Sequence, residues 1–178
     1  MKQIVKEIID KDVEFQNIIK ELVENKTVQK MKNFKQHYET TCFDHCYTVS
    51  YYCYLICKKY NLDYISTARA GMLHDLFLYD WRKKQPDRKG LHAFTHGRTA
   101  CKNASELFDL NEKEKDMIIK HMWPVTTQLP SSLEGLILTF VDKYCAMSES
   151  FDILKTRLLL RKPLRYLYSF LSMVSIHL

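Results

Sequence analysis

At 178 residues the chain has room for one domain that buries a real core without disulfides or other staples. Hydrophobic residues make up 46% and charged residues 27%, the proportions of an ordinary soluble globular protein, while only 4 Gly and 4 Pro disfavour strand–turn architectures and favour long helices. The net charge of +6 suits anionic partners, but basic and acidic residues are interspersed and no nucleic-acid reading motif or dense basic stripe stands out, so specific nucleic-acid binding is not expected.

In chain order, Ile4, Val5, Ile8, Ile9 and then Ile18, Ile19, Leu22, Val23 keep helical spacing, as one bent helix or two short ones around Asp10–Val13. A second helical stretch is predicted from about Thr41 to Lys59, with Thr41 as its cap and Asp44 at its positive end. A third runs from Asp63 to about Phe77. Tyr79 to Thr95 is a basic, turn-rich connection long enough to carry function. Helical pattern resumes at His96–Phe108 and again from Asn111, with Glu114 as capping partner, until Trp123-Pro124 stops it. Ser131 and Glu134 read as a capping box for a helix over Ser132–Ser148. Two C-terminal helices, about Phe151–Arg161 and Leu164–Ile176, should meet at Pro163, and this apolar pair either covers the bundle or forms a dimer face. The expectation is an all-α helical bundle, a single domain over 1–178.

No signal peptide is visible after Met1, and the apolar tail Leu158–Leu178 is interrupted by Arg161, Lys162, Pro163 and Arg165, so no membrane span is expected and cytoplasm is the default. Six cysteines at 42, 46, 53, 57, 101 and 145 form no CxxC pair, which sets aside zinc-ribbon and thioredoxin-like readings; they read as free buried thiols in a reducing compartment.

The chemistry lies in where the histidines fall. His45 is inside the second helical stretch, His74-Asp75 closes the third, His96 opens the next and His121 ends the one after. Asp142 follows the apolar run Leu136–Val141, where a carboxylate costs several kcal/mol unless it is paired, hydrogen-bonded or metal-bound. Taken alone, Asp142 reads as an acid satisfied by some lysine, arginine or helix N-terminus. Beside four histidines and a His-Asp pair, metal ligation is the stronger reading. Adjacent helical residues project about 100° apart, but at a helix end His74 and Asp75 can turn toward one ion, and an aspartate has two oxygens with which to bridge two.

Phe43-Asp44-His45-Cys46-Tyr47-Thr48-Val49, then Ala70-Gly71-Met72-Leu73-His74-Asp75-Leu76, then Val141-Asp142-Lys143 together resemble the HD superfamily of metal-dependent phosphohydrolases, with the order His, His-Asp, Asp on a helical bundle. The resemblance covers about 41–147, with flanking helices in 1–40 and 148–178. It implies His45, His74, Asp75 and Asp142 as ligands of a first divalent metal. In two-metal branches it implies His96 and His121 as ligands of a second, bridged by Asp75. Read on their own, His96 is an exposed helix-start residue and His121 a favourable charge at a helix C-terminus. Iron, manganese, nickel, cobalt and zinc all suit such a set.

The implied reaction is direct attack of activated water on a phosphate ester or anhydride of a small metabolite, most naturally a nucleotide, with Asp75 orienting the nucleophile. Arg82, Lys83, His92, Arg98 and Lys102 are candidate substrate contacts, although each basic residue taken singly reads as solvated surface. Lys143 is either an ion-pair partner of Asp142 or a phosphate contact. His37 and His177 rank lower. No Gly-Tyr-Pro follows the site, and Leu76-Phe77-Leu78 stands where several family members carry a lysine or glutamate, which leaves the proton donor unassigned and Asp80 as the nearest acid. The alternatives are a dinucleoside-tetraphosphate hydrolase, which shares the ligand order, and a non-catalytic nucleotide- or protein-binding helical module.

Overall fold

The computed structural model describes residues 2–37, 40–83 and 90–160, with the side chains of 2–4, 37 and 152–160 left aside. The expected helix over 164–176, His177 and most of the basic stretch at 84–89 lie outside the described residues.

The chain is all-α. Eight α-helices occur among the described residues: α1 Lys2–Lys11, α2 Val13–Glu24, α3 Lys26–Gln29, α4 Cys42–Lys59, α5 Tyr64–Leu73, α6 His92–Ser105, α7 Glu112–Lys120 and α8 Leu133–Leu160. The N-terminal stretch resolves into two helices because Asp12 caps the second, its carboxylate accepting from Phe15 N at 3.1 Å. Between α3 and α4 a 3-10 turn, Lys30–Asn33, leads into a short antiparallel hairpin, β1 Lys35–His37 with β2 Thr40–Thr41, which periodicity did not predict.

Helix α4 is the axis of the fold. It is buried nearly all round, through Phe43, His45, Cys46, Val49, Ser50, Cys53, Tyr54 and Cys57, as expected of a helix with neighbours on most sides. It packs most extensively on α5 and α8. Its closeness to α5 depends on Gly71: a Cβ there would stand 2.9 Å from Ser50 Cα. Thr41 caps α4 as expected, Oγ1 accepting from Asp44 N at 3.1 Å, and Asn111 with Glu114 forms a full capping box on α7. All six cysteines are free and buried.

Helix α5 stops at Leu73 rather than about Phe77 and α6 at Ser105 rather than Phe108, and three further boundaries differ from the expectation. Helix α6 begins at His92, so His96 sits in its second turn rather than at its start. The cap of α8 is Ser132, whose Oγ accepts from Gly135 N at 3.1 Å; Ser131 instead bonds Asp116, and Glu134 accepts from Lys113 at 3.1 Å. Helix α8 also runs unbroken through Ser148–Ser150, where a break was expected. Ser150 Oγ bonds back to Ala146 O at 2.8 Å, and Glu149 turns inward and is buried, so the polar run stays helical. No helix of the described residues is long and apolar enough to cross a membrane.

Candidate metal centre

Five elements send their side chains to one place: His45 from the first turns of α4, His74 and Asp75 from the end of α5, His96 from α6, His121 from the end of α7 and Asp142 from α8. None of the six is more than 8% exposed. The ends of α5 and α7 can turn their histidines inward because the helix stops there. Gly97 brings α6 against α7: a Cβ on it would lie 2.9 Å from the carbonyl oxygens of both Ile118 and Ile119, so the helices meet where only glycine fits and His96 is pressed onto His121.

The cluster has two halves that share Asp75. On one side Asp142 Oδ1 lies 3.0 Å from His45 Nε2 and 3.5 Å from His74 Nε2, and Asp75 Oδ2 lies 3.6 Å from His74 Nε2. On the other, Asp75 Oδ1 lies 3.3 Å from His96 Nε2 and 3.7 Å from His121 Nε2. Candidate ligand atoms fall within 4.8 Å of one another in the groups His45–His74–Asp75, His74–His121–Asp142 and Asp75–His96–His121.

Tautomers are fixed by what each Nδ1 meets. Nδ1 of His74, His96 and His121 donates to the carbonyl oxygens of Gly71, His92 and Ile118, each at 2.8 Å. A carbonyl only accepts, so Nδ1 carries a proton, and whenever the ring is neutral its Nε2 presents a lone pair. His96 Nε2 and His121 Nε2 then face each other at 2.9 Å, two lone pairs that only a cation or an extra proton between them can reconcile. His74 Nε2 and Asp75 Oδ1 are likewise buried with no hydrogen-bond partner among the described residues. Imidazole nitrogens with carboxylate oxygens, the outer nitrogens held by hydrogen bonds and His74 Nε2 and Asp75 Oδ1 turned inward, fit a first-row divalent metal.

The electrostatics agree. Burial pushes Asp75 up, but His74, His96 and His121 outweigh it and hold the carboxyl below its usual range. Burial likewise raises Asp142, and the bond from His45 together with the nearby His74 ring outweighs it, taking it well below. His121 is pushed down to about 3 by burial and by the His96 and His74 rings, and so is neutral at pH 7. Burial disfavours a charged His45, yet Asp142 and Glu149 more than offset that and raise it. Two buried carboxylates held low beside an imidazole kept neutral are an arrangement that could hold a cation.

The candidate substrate contacts divide. His92 stands at the cluster's edge: its ring stacks on His96 with centroids 4.4 Å apart and planes at 22°, and on Trp81 at 5.6 Å and 16°. Tyr79 Oη and His92 Nδ1 share a hydrogen bond at 3.0 Å. Arg82 and Lys83 follow Trp81, but Arg82 Nε is 2.9 Å from Asp80 Oδ1 and Lys83 Nζ 4.0 Å from Asp80 Oδ2, so this acid is already paired. Arg98 and Lys102 are exposed, and Lys102 Nζ lies 4.0 Å from Glu106. At about 100° per residue they sit roughly 200° and 240° around α6 from the buried His96, so they are not brought to the cluster. No ion pair between Lys143 and Asp142 occurs among the described residues; the Lys143 ammonium donates to His121 O at 3.0 Å, satisfying the end of α7.

Two residues at the site were not foreseen. Gln36, on β1, donates through Nε2 to Asp75 Oδ2, while its Oε1 is buried without a partner among the described residues. Nothing in the sequence marks it, because its placement depends on the hairpin. Glu149 Oε1 accepts from His45 Nδ1 at 3.2 Å. Its signal was its spacing, seven residues beyond Asp142 and therefore on the same helix face, concealed by the break expected at that point.

An all-helical bundle whose interior gathers imidazoles and carboxylates of this kind defines a helical protein with residues that could hold a metal. The chain belongs to the HD domain family: the family model matches residues 42–147, a span that contains all six clustered residues and neither Gln36 nor Glu149. Members of this family are mostly metal-dependent hydrolases. Neither the curated proteins nor the solved structures include a match to the chain.

Proposed function

We propose that this chain is a metal-dependent phosphohydrolase that cleaves a phosphate ester or anhydride of a nucleotide or similar small phosphorylated metabolite, with two divalent cations. The observation that carries the reading is the division of Asp75, one oxygen toward His74 and the other toward His96 and His121. His45, His74, Asp75 and Asp142 form the first ligand group, and Asp75, His96 and His121 the second. Bound divalent cations supply activated water and neutralise charge on a transferring phosphoryl group.

The chain's own residues do the rest. Backbone carbonyls hold three imidazoles in the tautomer that points Nε2 inward, so these ligands need no reorientation on binding. Gln36 fixes one Asp75 oxygen by donating to it. Asp75 is the residue proposed to orient the attacking water. The Trp81–His92 stack beside His96 supports the nucleotide reading, since an aromatic wall at the edge of the centre can take a base by stacking. Arg82 and Lys83, next to Trp81, are the proposed phosphate contacts, while Arg98 and Lys102 are set aside on helix geometry.

The test is metal analysis of protein purified without added metal, followed by a panel of nucleotides and dinucleoside polyphosphates. Expected are near-stoichiometric first-row metal and hydrolysis that collapses in Asp75→Ala. Protein that neither holds metal nor is stabilised by it, with ligand binding indifferent to that substitution, makes the chain a non-catalytic binding module instead.

A further inference from the structure

A histidine that ligates through one nitrogen must place the proton of the other, and the acceptor it finds there sets the ring's orientation and basicity. Three of the clustered histidines take that acceptor from their own helix, at Gly71, His92 and Ile118, three or four residues back in the chain. His45 differs. Its Nδ1 reaches across the fold to Glu149 Oε1 at 3.2 Å, and its Nε2 faces Asp142 Oδ1 at 3.0 Å. Asp142 and Glu149 are two turns apart on one face of α8, about 10.5 Å of rise, and the His45 ring fills the gap between them.

We infer that Glu149, a residue outside the span matched to the family, is the positioning residue of the first ligand group: it accepts a hydrogen bond from Nδ1–H of His45, which keeps the proton on Nδ1 and leaves Nε2 to bind the cation. The inference rests on the two-cation reading above. Glu149 is 8% exposed, and its Oε2 is buried without a hydrogen-bond partner among the described residues. A carboxylate held that way costs stability, so packing alone does not account for its place. A carboxylate acceptor also forms a stronger hydrogen bond than the carbonyls serving the other three histidines, which makes His45 the more basic ligand. Helix α8 beyond the family span is therefore part of the centre.

The experiment is a double-substitution cycle on the full chain, stripped with chelator and titrated calorimetrically with Mn²⁺. Glu149→Ala is expected to weaken Mn²⁺ binding about 10–100-fold. In a His45→Ala background the same substitution is expected to change binding by less than about twofold, because Glu149 acts through that ring. Glu149→Gln, which keeps a carbonyl acceptor, should recover much of the affinity, whereas Glu149→Met, which keeps the bulk without an acceptor, should not. This pair decides the matter if the alanine variant fails to fold. Equal losses in both backgrounds, equal affinity in the Gln and Met variants, or an affinity that does not change at all overturns the inference and leaves the function standing. A wild-type chain that takes up no Mn²⁺ removes both.

Discussion

The two halves of the centre are prepared by different means. His96 and His121 lie on neighbouring helices, and each is oriented by a carbonyl of its own chain segment; a single tight contact at Gly97 brings them together. His45 and Asp142 are 97 residues apart, and His45 is oriented by Glu149, 104 residues away. The His96–His121 half is thus largely built by local hydrogen bonds, while the His45–Asp142 half exists only once α8 has docked on α4. The second therefore depends more on global packing, and anything that loosens α8 acts there first.

Asp75→Ala should have the largest effect, since it removes the one side chain both halves share. Turnover should fall by at least about 10²–10³-fold, the scale of losing one preorganised electrostatic group, and metal content should drop. Assaying hydrolysis and metal content on one preparation checks this, and a variant that keeps both would break the picture of a shared ligand.

The glycines separate the halves. Gly97→Ala puts a Cβ 2.9 Å from two backbone carbonyl oxygens of α7, and Gly71→Ala puts one 2.9 Å from Ser50 Cα on α4. Neither neighbour is a flexible side-chain end, so each variant should lose about 1–3 kcal/mol by urea denaturation. The first should weaken metal binding at His96 and His121, and the second at His45 and His74. Identical changes in metal titration for both variants would erase the distinction.

The smallest effect concerns the connection from α7 to α8. Asp116 accepts from Ser131 N and Oγ, each at 2.9 Å, and pairs with Lys120. Burial raises Asp116, but Lys120 and the Ser131 bonds outweigh it and hold the carboxyl below its usual range. A depressed carboxyl binds fewer protons folded than unfolded, so its contribution is present above the unfolded value of about 3.9 and is lost as pH falls through the lower folded value. Asp116→Asn should therefore cost about 0.5–1 kcal/mol at pH 7, with the gap from wild type closing in acid; thermal melts across pH check it. A gap that persists in acid would mean the amide costs something other than charge.

The sequence by itself determined much of this protein. Helical periodicity, the caps at Thr41 and Asn111, and the odd polar residues at 45, 74, 75, 96, 121 and 142 are local properties, set by backbone hydrogen bonding and by the cost of burying polar groups. Tertiary structure decided what local pattern cannot encode. Arg98 and Lys102 lie across α6 from His96 by helical phase, and which side of α6 is inside is decided by packing, which buries His96 and leaves both basic residues exposed. A break was expected between Ser148 and Phe151, yet α8 continues through Ser148-Glu149-Ser150, with Glu149 bonded to His45 and Ser150 to Ala146. Gln36 reaches Asp75 from a hairpin that no periodicity announced. In each case the free energy that settles the matter comes from a partner distant in the chain, which a reading of neighbours along the sequence does not contain.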